Sequence, residues 1–290
     1  MKLASISYQQ QQRVGVIHEG ERCFLLDPAI HGIPNSIEAF LSSERAQVAL
    51  VELEASGFEG AVEVGLKDVQ INPPLKKVNK VICIGKNYAD HAREMGGEPP
   101  EIPVVFSKFP SAIIGSGENI VLPDISSQVD YEAELVVVIG KPARHVSREQ
   151  AMDHVFGYCC GNDISARDWQ KGKPGGQWLL GKTFDTFAPL GPYVVTKNEI
   201  EDPHQLNICC RLNGEIMQSS NTSLLIFSID FLISHLSQFI TLAPGDLIFT
   251  GTPPGVGAGR KPPLFLQSGD IVEVEIESVG VLTNTIDAEV

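Results

Sequence analysis

The chain has 290 residues, of which 43% are hydrophobic and 20% charged, and carries a formal net charge of −14. That length can bury a full core as one large domain with a smaller appendage, and the composition is neither that of a disordered chain nor that of a membrane span. The acidic balance excludes nucleic acid and anionic membrane as the expected main partner, so an anionic ligand needs a local cluster of positive charge or a metal.

Residues 1–72 read as strands over 3–8, 14–18 and 23–26, followed by one helix over 36–56, where apolar residues recur near the helical period. Pro73-Pro74-Leu75-Lys76-Lys77 marks a boundary, which predicts a small β-rich N-terminal domain over 1–72 and a larger domain over 78–290. Strand signals then dominate, at 81–84, 104–106, 135–139, 193–195, 206–212, 247–249 and 271–276, interrupted by a helix beginning near Ser147 and another over 228–239. The expected class is α+β, mainly β, with peripheral helices and no βαβ rhythm. Cys23, Cys83, Cys159, Cys160, Cys209 and Cys210 lie in apolar segments without Cys-x-x-Cys spacing, and neighbours on a strand point to opposite faces. They read as small core residues in a reducing compartment. With no long apolar leader and no run of 18 apolar residues, the expectation is a cytoplasmic protein without a membrane partner.

Asp130-Tyr131-Glu132-Ala133-Glu134 runs straight into the apolar stretch Leu135-Val136-Val137-Val138-Ile139, which sets Glu132 and Glu134 on one face of a strand. Two such charges roughly 4 Å apart at an effective dielectric near 20 repel by about 4 kcal/mol, so a buried pair needs a counter-charge. Asp163 follows a second apolar segment. Three carboxylates without a nearby cysteine or histidine suit Mg²⁺ or Mn²⁺ better than Zn²⁺. The plainer reading of an isolated Glu-x-Glu is the wet face of an edge strand.

His91 and Glu94 stand three residues apart after the strand signal at 81–84. On a short helix they can touch, so Glu94 can orient a basic His91; the alternative is an exposed surface pair. Met95-Gly96-Gly97-Glu98-Pro99-Pro100 follows, a polar segment suited to a mobile lid with few apolar anchors. Gly176-Gln177-Trp178-Leu179-Leu180-Gly181-Lys182-Thr183 fits the P-loop pattern letter for letter. Its bulky middle and the absence of a buried strand before it argue against a phosphate cradle.

Several stretches together carry a family resemblance: residues 85–94, Phe106-Ser107-Lys108, residues 130–140, Asn162-Asp163-Ile164-Ser165-Ala166-Arg167-Asp168, residues 177–192, Asn213-Gly214-Glu215, and Thr250-Gly251-Thr252-Pro253-Pro254-Gly255-Val256-Gly257. From about residue 78 onward the chain resembles the fumarylacetoacetate hydrolase superfamily, and within it the domain-containing proteins of the second type. The resemblance implies a mixed β-roll catalytic domain, usually a homodimer, that binds Mg²⁺ or Mn²⁺ through Glu132, Glu134 and Asp163. It also implies a His91–Glu94 dyad on a segment that orders over substrate, Lys182 as an active-site lysine, and Lys86, Arg167, Gln170 and Thr252 beside the substrate.

The implied chemistry forms or discharges an enolate next to a 2-oxo acid carboxylate chelated by the metal. Oxaloacetate keto–enol tautomerisation is the first expectation. Carbon–carbon hydrolysis of acylpyruvates or other β-diketo acids is the alternative, with oxaloacetate decarboxylation beside it. A non-enzymatic protein merely stabilised by a metal is the competing class. Fumarylacetoacetate hydrolase itself adds a further aspartate and an aromatic pocket, for which no counterpart is identified here. Residues 1–72 resemble the small N-terminal domain of many such proteins, with a structural role.

Overall fold

A computed structural model describes residues 1–18 and 22–289 of the chain. The N-terminal part comprises β1 (Lys2–Tyr8), β2 (Gln11–His18), β3 (Arg22–Leu26), α1 (Pro28–His31), α2 (Ile37–Leu41), α3 (Glu44–Ala55), β4 (Val62–Gly65) and β5 (Gln70–Asn72). The single helix expected over 36–56 is two. The Ser36 and Ser43 hydroxyls each accept the amide three residues on, from Ala39 at 3.3 Å and Ala46 at 3.2 Å, so a second N-cap interrupts the helical period.

Next come β6 (Val81–Gly85), α4 (Ala89–Glu94), β7 (Val104–Lys108), β8 (Ile113–Ile114), β9 (Ile120–Leu122), β10 (Val129–Asp130), β11 (Ala133–Ile139), α5 (Arg148–Ala151), β12 (Val155–Asn162), β13 (Ser165–Ala166), α6 (Arg167–Gln170) and α7 (Trp178–Lys182). The chain ends with β14 (Ala188–Thr196), β15 (Asn207–Leu212), β16 (Glu215–Asn221), α8 (Ile229–Phe239), β17 (Leu247–Phe249), β18 (Ile271–Ile276) and β19 (Gly280–Ala288). The fold is α+β and mainly β.

The main sheet runs β4-β3-β2-β1-β14-β12-β11-β17-β6-β7, and a second runs β16-β15-β18-β19-β9. Parallel pairing occurs at β17 with β6, β14 with β8 and β19 with β9; the other strand pairs are antiparallel. All seven residues of β11 are buried, because the strand is hydrogen-bonded on both edges and covered on both faces. Leu135, Val137 and Ile139 enter a core with Ile208, Leu232 and Val274. Val136 and Val138 enter another with Leu3, Val14, Phe40 and Leu50 from the N-terminal part. Period-two alternation puts Glu134 on the face of Val136 and Val138.

The N-terminal strands extend the sheet that carries the acids, since β1 pairs with β14 at Lys2 with Val195 and Leu3 with Val194. The connecting Pro73, Pro74 and Leu75 are buried, and the Lys76 and Lys77 amides donate to Glu38 Oε1 at 2.8 and 2.9 Å. On the far side, α8 buries Ile229, Leu232, Ile233 and Leu236 at helical spacing. All six cysteines are free thiols, and only Cys209 is not fully buried.

Candidate active site

Glu132 immediately precedes β11, Glu134 lies within it, and Asp163 follows β12. Antiparallel register sets Ala133 opposite Asn162 and so brings Glu132 across from Asp163. Two bonds lock that alignment: the Asp163 amide donates to the Glu132 carbonyl, and the Glu132 amide to Asn162 Oδ1, each at 2.9 Å. One carboxylate oxygen from each of Glu132, Glu134 and Asp163 lies within 4.8 Å of the others, and all three residues are buried.

Three buried cations surround the acids. Lys182 closes α7, and its Nζ lies 2.6 Å from Glu132 Oε2 and 2.7 Å from Asp163 Oδ2. Lys108 closes β7 and places its Nζ 2.7 Å from Asp163 Oδ1. The same amine donates to the carbonyls of Ile164 at 2.9 Å, Phe187 at 2.7 Å and Lys182. Arg167 opens α6 and donates from Nε to Asp130 Oδ2 at 2.8 Å and from Nη1 to Gln170 Oε1 at 3.0 Å, with Nη2 2.7 Å from Glu132 Oε1. Asp130 also accepts the amides of Gly257 at 2.7 Å and Ala258 at 3.0 Å. A side chain on Gly257 would put Cβ 1.8 Å from the Leu264 carbonyl oxygen, so only glycine lets the backbone come this close.

The charges are unevenly answered. Burial pushes the Glu132 carboxyl up, but Lys182 and Arg167 outweigh it and hold the group well below the usual carboxylate range. Burial pushes Glu134 up as well, and Asp163 and Glu132 push it further, so it ends well above that range. Its one hydrogen bond among the described residues is from the Gly251 amide at 2.7 Å. Burial also lowers Lys182, yet Asp163 and Glu132 reverse the shift and raise it, whereas for Lys108 burial prevails over Asp163 and the amine is lowered. Glu134 is therefore a buried carboxylate short of positive charge, in an all-oxygen donor set. That is what a divalent cation of the Mg²⁺ or Mn²⁺ type would satisfy.

A cleft above the acids is lined by Lys86, His91, Glu132, Glu134, Arg167, Gln170, Lys182 and Thr252, with Phe106, Lys171 and Trp178 completing the wall. Asp163 lies beneath it, fully buried. Glu94 is the predicted site residue that turns away: both its oxygens accept the Gly255 amide at 3.0 Å, and Oε2 is 3.5 Å from His91 Nδ1. His91 Nδ1 is buried without a hydrogen bond. The expectation of few apolar anchors around His91 is corrected. Tyr88, His91 and Ala92 are buried, and the Gly96 and Gly97 amides close α4 onto the Arg93 and Ala92 carbonyls, with Gly96 at φ +75°. Lys182 ends α7 rather than opening a helix, and its amine is committed to carboxylates, so the P-loop spelling has no cradle behind it.

Sequence reasoning gave no site role to Lys108, Asp130, Lys171 or Gln218 and missed the aromatic wall. The Phe106 and Trp178 rings meet edge to face at 5.4 Å, an aromatic side to the cleft. Lys108 carried a signal, a lysine closing an apolar strand. Gln218 carried none. Its amide nitrogen donates to Thr252 Oγ1 at 2.8 Å and the Pro253 carbonyl at 2.7 Å, while its oxygen accepts the Ala133 amide at 2.9 Å, contacts that only the fold creates.

The family description "Fumarylacetoacetate (FAA) hydrolase C-terminal" matches residues 80–287 of this chain, a span that holds every group described above. The chain belongs to the fumarylacetoacetate hydrolase family. It is an enzyme of that family, which sets aside the reading as a non-enzymatic binding protein. Bovine (Bos taurus) "oxaloacetate tautomerase FAHD2A, mitochondrial" is 56% identical over 219 residues, covering 76% of this chain and 70% of the relative. Among solved structures, the fumarylacetoacetate hydrolase of Exiguobacterium antarcticum is 36% identical with a TM-score of 0.84, each chain covered in full. The maleylpyruvate hydrolase of Sphingobium sp. SYK-6 in complex with manganese(II) ion and pyruvate is 30% identical with a TM-score of 0.83, again over the full length of both chains. Family and donor set together point to a divalent metal.

The cytoplasmic expectation is corrected by the same findings, because the bovine relative is named as mitochondrial. An apolar leader speaks to secretion, whereas import into an organelle is addressed by segments of other chemistry. No described helix is long and apolar enough to cross a membrane.

Proposed function

We propose that this enzyme interconverts the keto and enol forms of oxaloacetate, using a divalent cation held by Glu132, Glu134 and Asp163. The observation that carries the reading is the buried acid triad with its under-compensated Glu134, directly below a cleft that His91 lines. Identity of 56% to the bovine oxaloacetate tautomerase supports the choice of substrate. Mg²⁺ is the first choice and Mn²⁺ the second, both suited to an all-oxygen set.

When bound, the cation supplies Lewis acidity toward a 2-oxo acid. The chain's own groups do the rest. His91 takes the proton from carbon 3 of the keto form, the 2-oxo oxygen gains a proton from solvent to complete the enol, and the reverse direction returns the carbon proton from His91 and releases the oxygen proton, the task of a positioned general base and acid. Glu94 orients it, at a distance that is long here and shortens when the site closes around substrate. Lys182 adds a fixed positive charge where negative charge develops on the substrate oxygen. Because Gln218 donates to Thr252 Oγ1, the Thr252 hydroxyl proton is left to donate elsewhere, toward a ligand oxygen in the cleft. Gln170 and Arg167 shape the adjoining wall, and Phe106 with Trp178 keeps bulk water from the carbon that exchanges its proton.

Homodimerisation forms part of the same reading. So does a division of labour in which 78–290 carries the chemistry and 1–72 stiffens the sheet, a role supported by the pairing of β1 with β14.

The test is a comparison of substrates with and without Mg²⁺. Oxaloacetate enol should disappear in a metal-dependent reaction that releases no CO₂, while acylpyruvates yield little acid product. Dominant cleavage of acylpyruvates, or turnover untouched by chelation, overturns the assignment.

A further inference from the structure

We propose that Lys171, with Lys86, forms a subsite at the mouth of the cleft for the second carboxylate of a dianionic 2-oxo acid. This deepens the preceding reading and rests on its premise that a 2-oxo acid is the substrate.

The positive charges around the cleft fall into two groups. Lys108, Arg167 and Lys182 are all committed to Asp130, Glu132 or Asp163. Lys86 and Lys171 line the same cleft, and neither side-chain amine makes a hydrogen bond or ion pair with any described residue. In a chain of net charge −14, two unpartnered lysines side by side at a pocket are not a by-product of surplus positive charge.

Lys86 is held in the left-handed backbone region at φ +58°, a conformation a non-glycine residue keeps only where its surroundings impose it. Gly97 leaves room for the amine, since a Cβ there would lie 2.9 Å from Lys86 Nζ. Lys171 is lowered by burial first and then by Arg167 and Lys86, so the cations at the mouth act on one another and an anion between them relieves that repulsion.

A charge count selects the ligand class. Asp130, Glu132, Glu134 and Asp163 give −4 and Lys108, Arg167 and Lys182 give +3, so a divalent cation brings the floor to +1. Lys86 and Lys171 then raise the cleft to +3. A dianion leaves +1 and a monoanion +2, so the built charge favours the dicarboxylate. One end of that ligand meets the floor, and for the other the uncommitted cations lining the cleft, among the described residues, are these two.

The experiment uses the full chain loaded with Mg²⁺ and two 2-hydroxy acids that tautomerisation does not consume, L-malate and L-lactate, which differ in the second carboxylate. Calorimetry should show malate binding about tenfold tighter than lactate, the scale of two partly exposed ion pairs. Lys171→Gln should cut that ratio about fivefold and raise KM for oxaloacetate far more than it lowers kcat, and Lys171→Arg should restore both. Lys86→Gln should act in the same direction. An unchanged malate-to-lactate ratio in Lys171→Gln overturns the subsite, as does failure of malate to bind. If the ratio falls in the variant but the native protein leaves oxaloacetate untouched, the subsite stands and the tautomerase assignment is what fails.

Discussion

At the floor of the cleft Lys108, Arg167 and Lys182 are buried and tied to carboxylates, whereas at its mouth the amines of Lys86 and Lys171 have no partner among the described residues. The floor spends its charges on itself. Each ion there is immobilised by two or more contacts, as low-dielectric surroundings demand, and the arrangement is fixed before any ligand arrives. The mouth keeps its charges in reserve, which solvent access makes affordable. Preorganisation and recognition are thus assigned to different layers of one pocket.

The sharpest way to break that contrast is at the floor. Lys108→Met should cost about 3–5 kcal/mol of stability, because it leaves Asp163 Oδ1 and three carbonyl groups without this amine in a dry interior. Urea unfolding of the metal-free protein reads this directly, and a loss under about 1 kcal/mol would mean the floor is not held by its pairs. His91→Ala should leave the melting curve unchanged and lower turnover by about 10² to 10⁴. Glu94→Ala should act in the same direction and add little to the first change, since the two work as a unit. Full turnover in the His91 variant would move the proton to another group.

At the mouth, Lys171→Gln should alter stability by no more than about 0.5 kcal/mol, the range for an exposed side chain without a partner. The smallest effect lies outside the pocket altogether, at the pairing of Arg148 with Asp230. Burial raises the Asp230 carboxyl, but hydrogen bonds from Arg148 and Ser228 outweigh it and hold the group below its ordinary value. A depressed carboxylate contributes stability above its unfolded-state pKa and loses it as pH falls through the folded one. Arg148→Ala should therefore lower the melting temperature slightly at pH 7, and the difference from the native protein should shrink as pH falls below the ordinary Asp range and through the depressed carboxyl. A difference that grows on acidification would contradict the sign.

Much of the floor was legible because its chemistry is local. Glu-x-Glu on an apolar strand fixes two acids on one face, and the apolar run of β12 places Asp163 at a strand end, so periodicity alone brings out the triad as candidates. The strands of the main sheet were legible for the same reason. What periodicity cannot carry is the identity of a partner far along the chain. Lys108 meets Asp163 across 55 positions and Gln218 meets Ala133 across 85, contacts created by sheet order. The break between α2 and α3 escaped because Ser42-Ser43 sits inside an otherwise regular apolar period, where a capping hydroxyl decides the outcome. Lys171 escaped for a different reason: in sequence it opens a Gly/Lys/Pro-rich stretch that reads as an ordinary loop.

The turn over 255–258 is gripped from two sides, by Glu94 through the Gly255 amide and by Asp130 through the amides of Gly257 and Ala258. It behaves as a strap buckled at both ends. The helix that carries His91 cannot swing outward without unfastening one buckle, so opening of the cleft over the histidine and release of the Gly255 amide to solvent are a single event. Hydrogen exchange at that one glycine is then a clock for how often the histidine leaves its post.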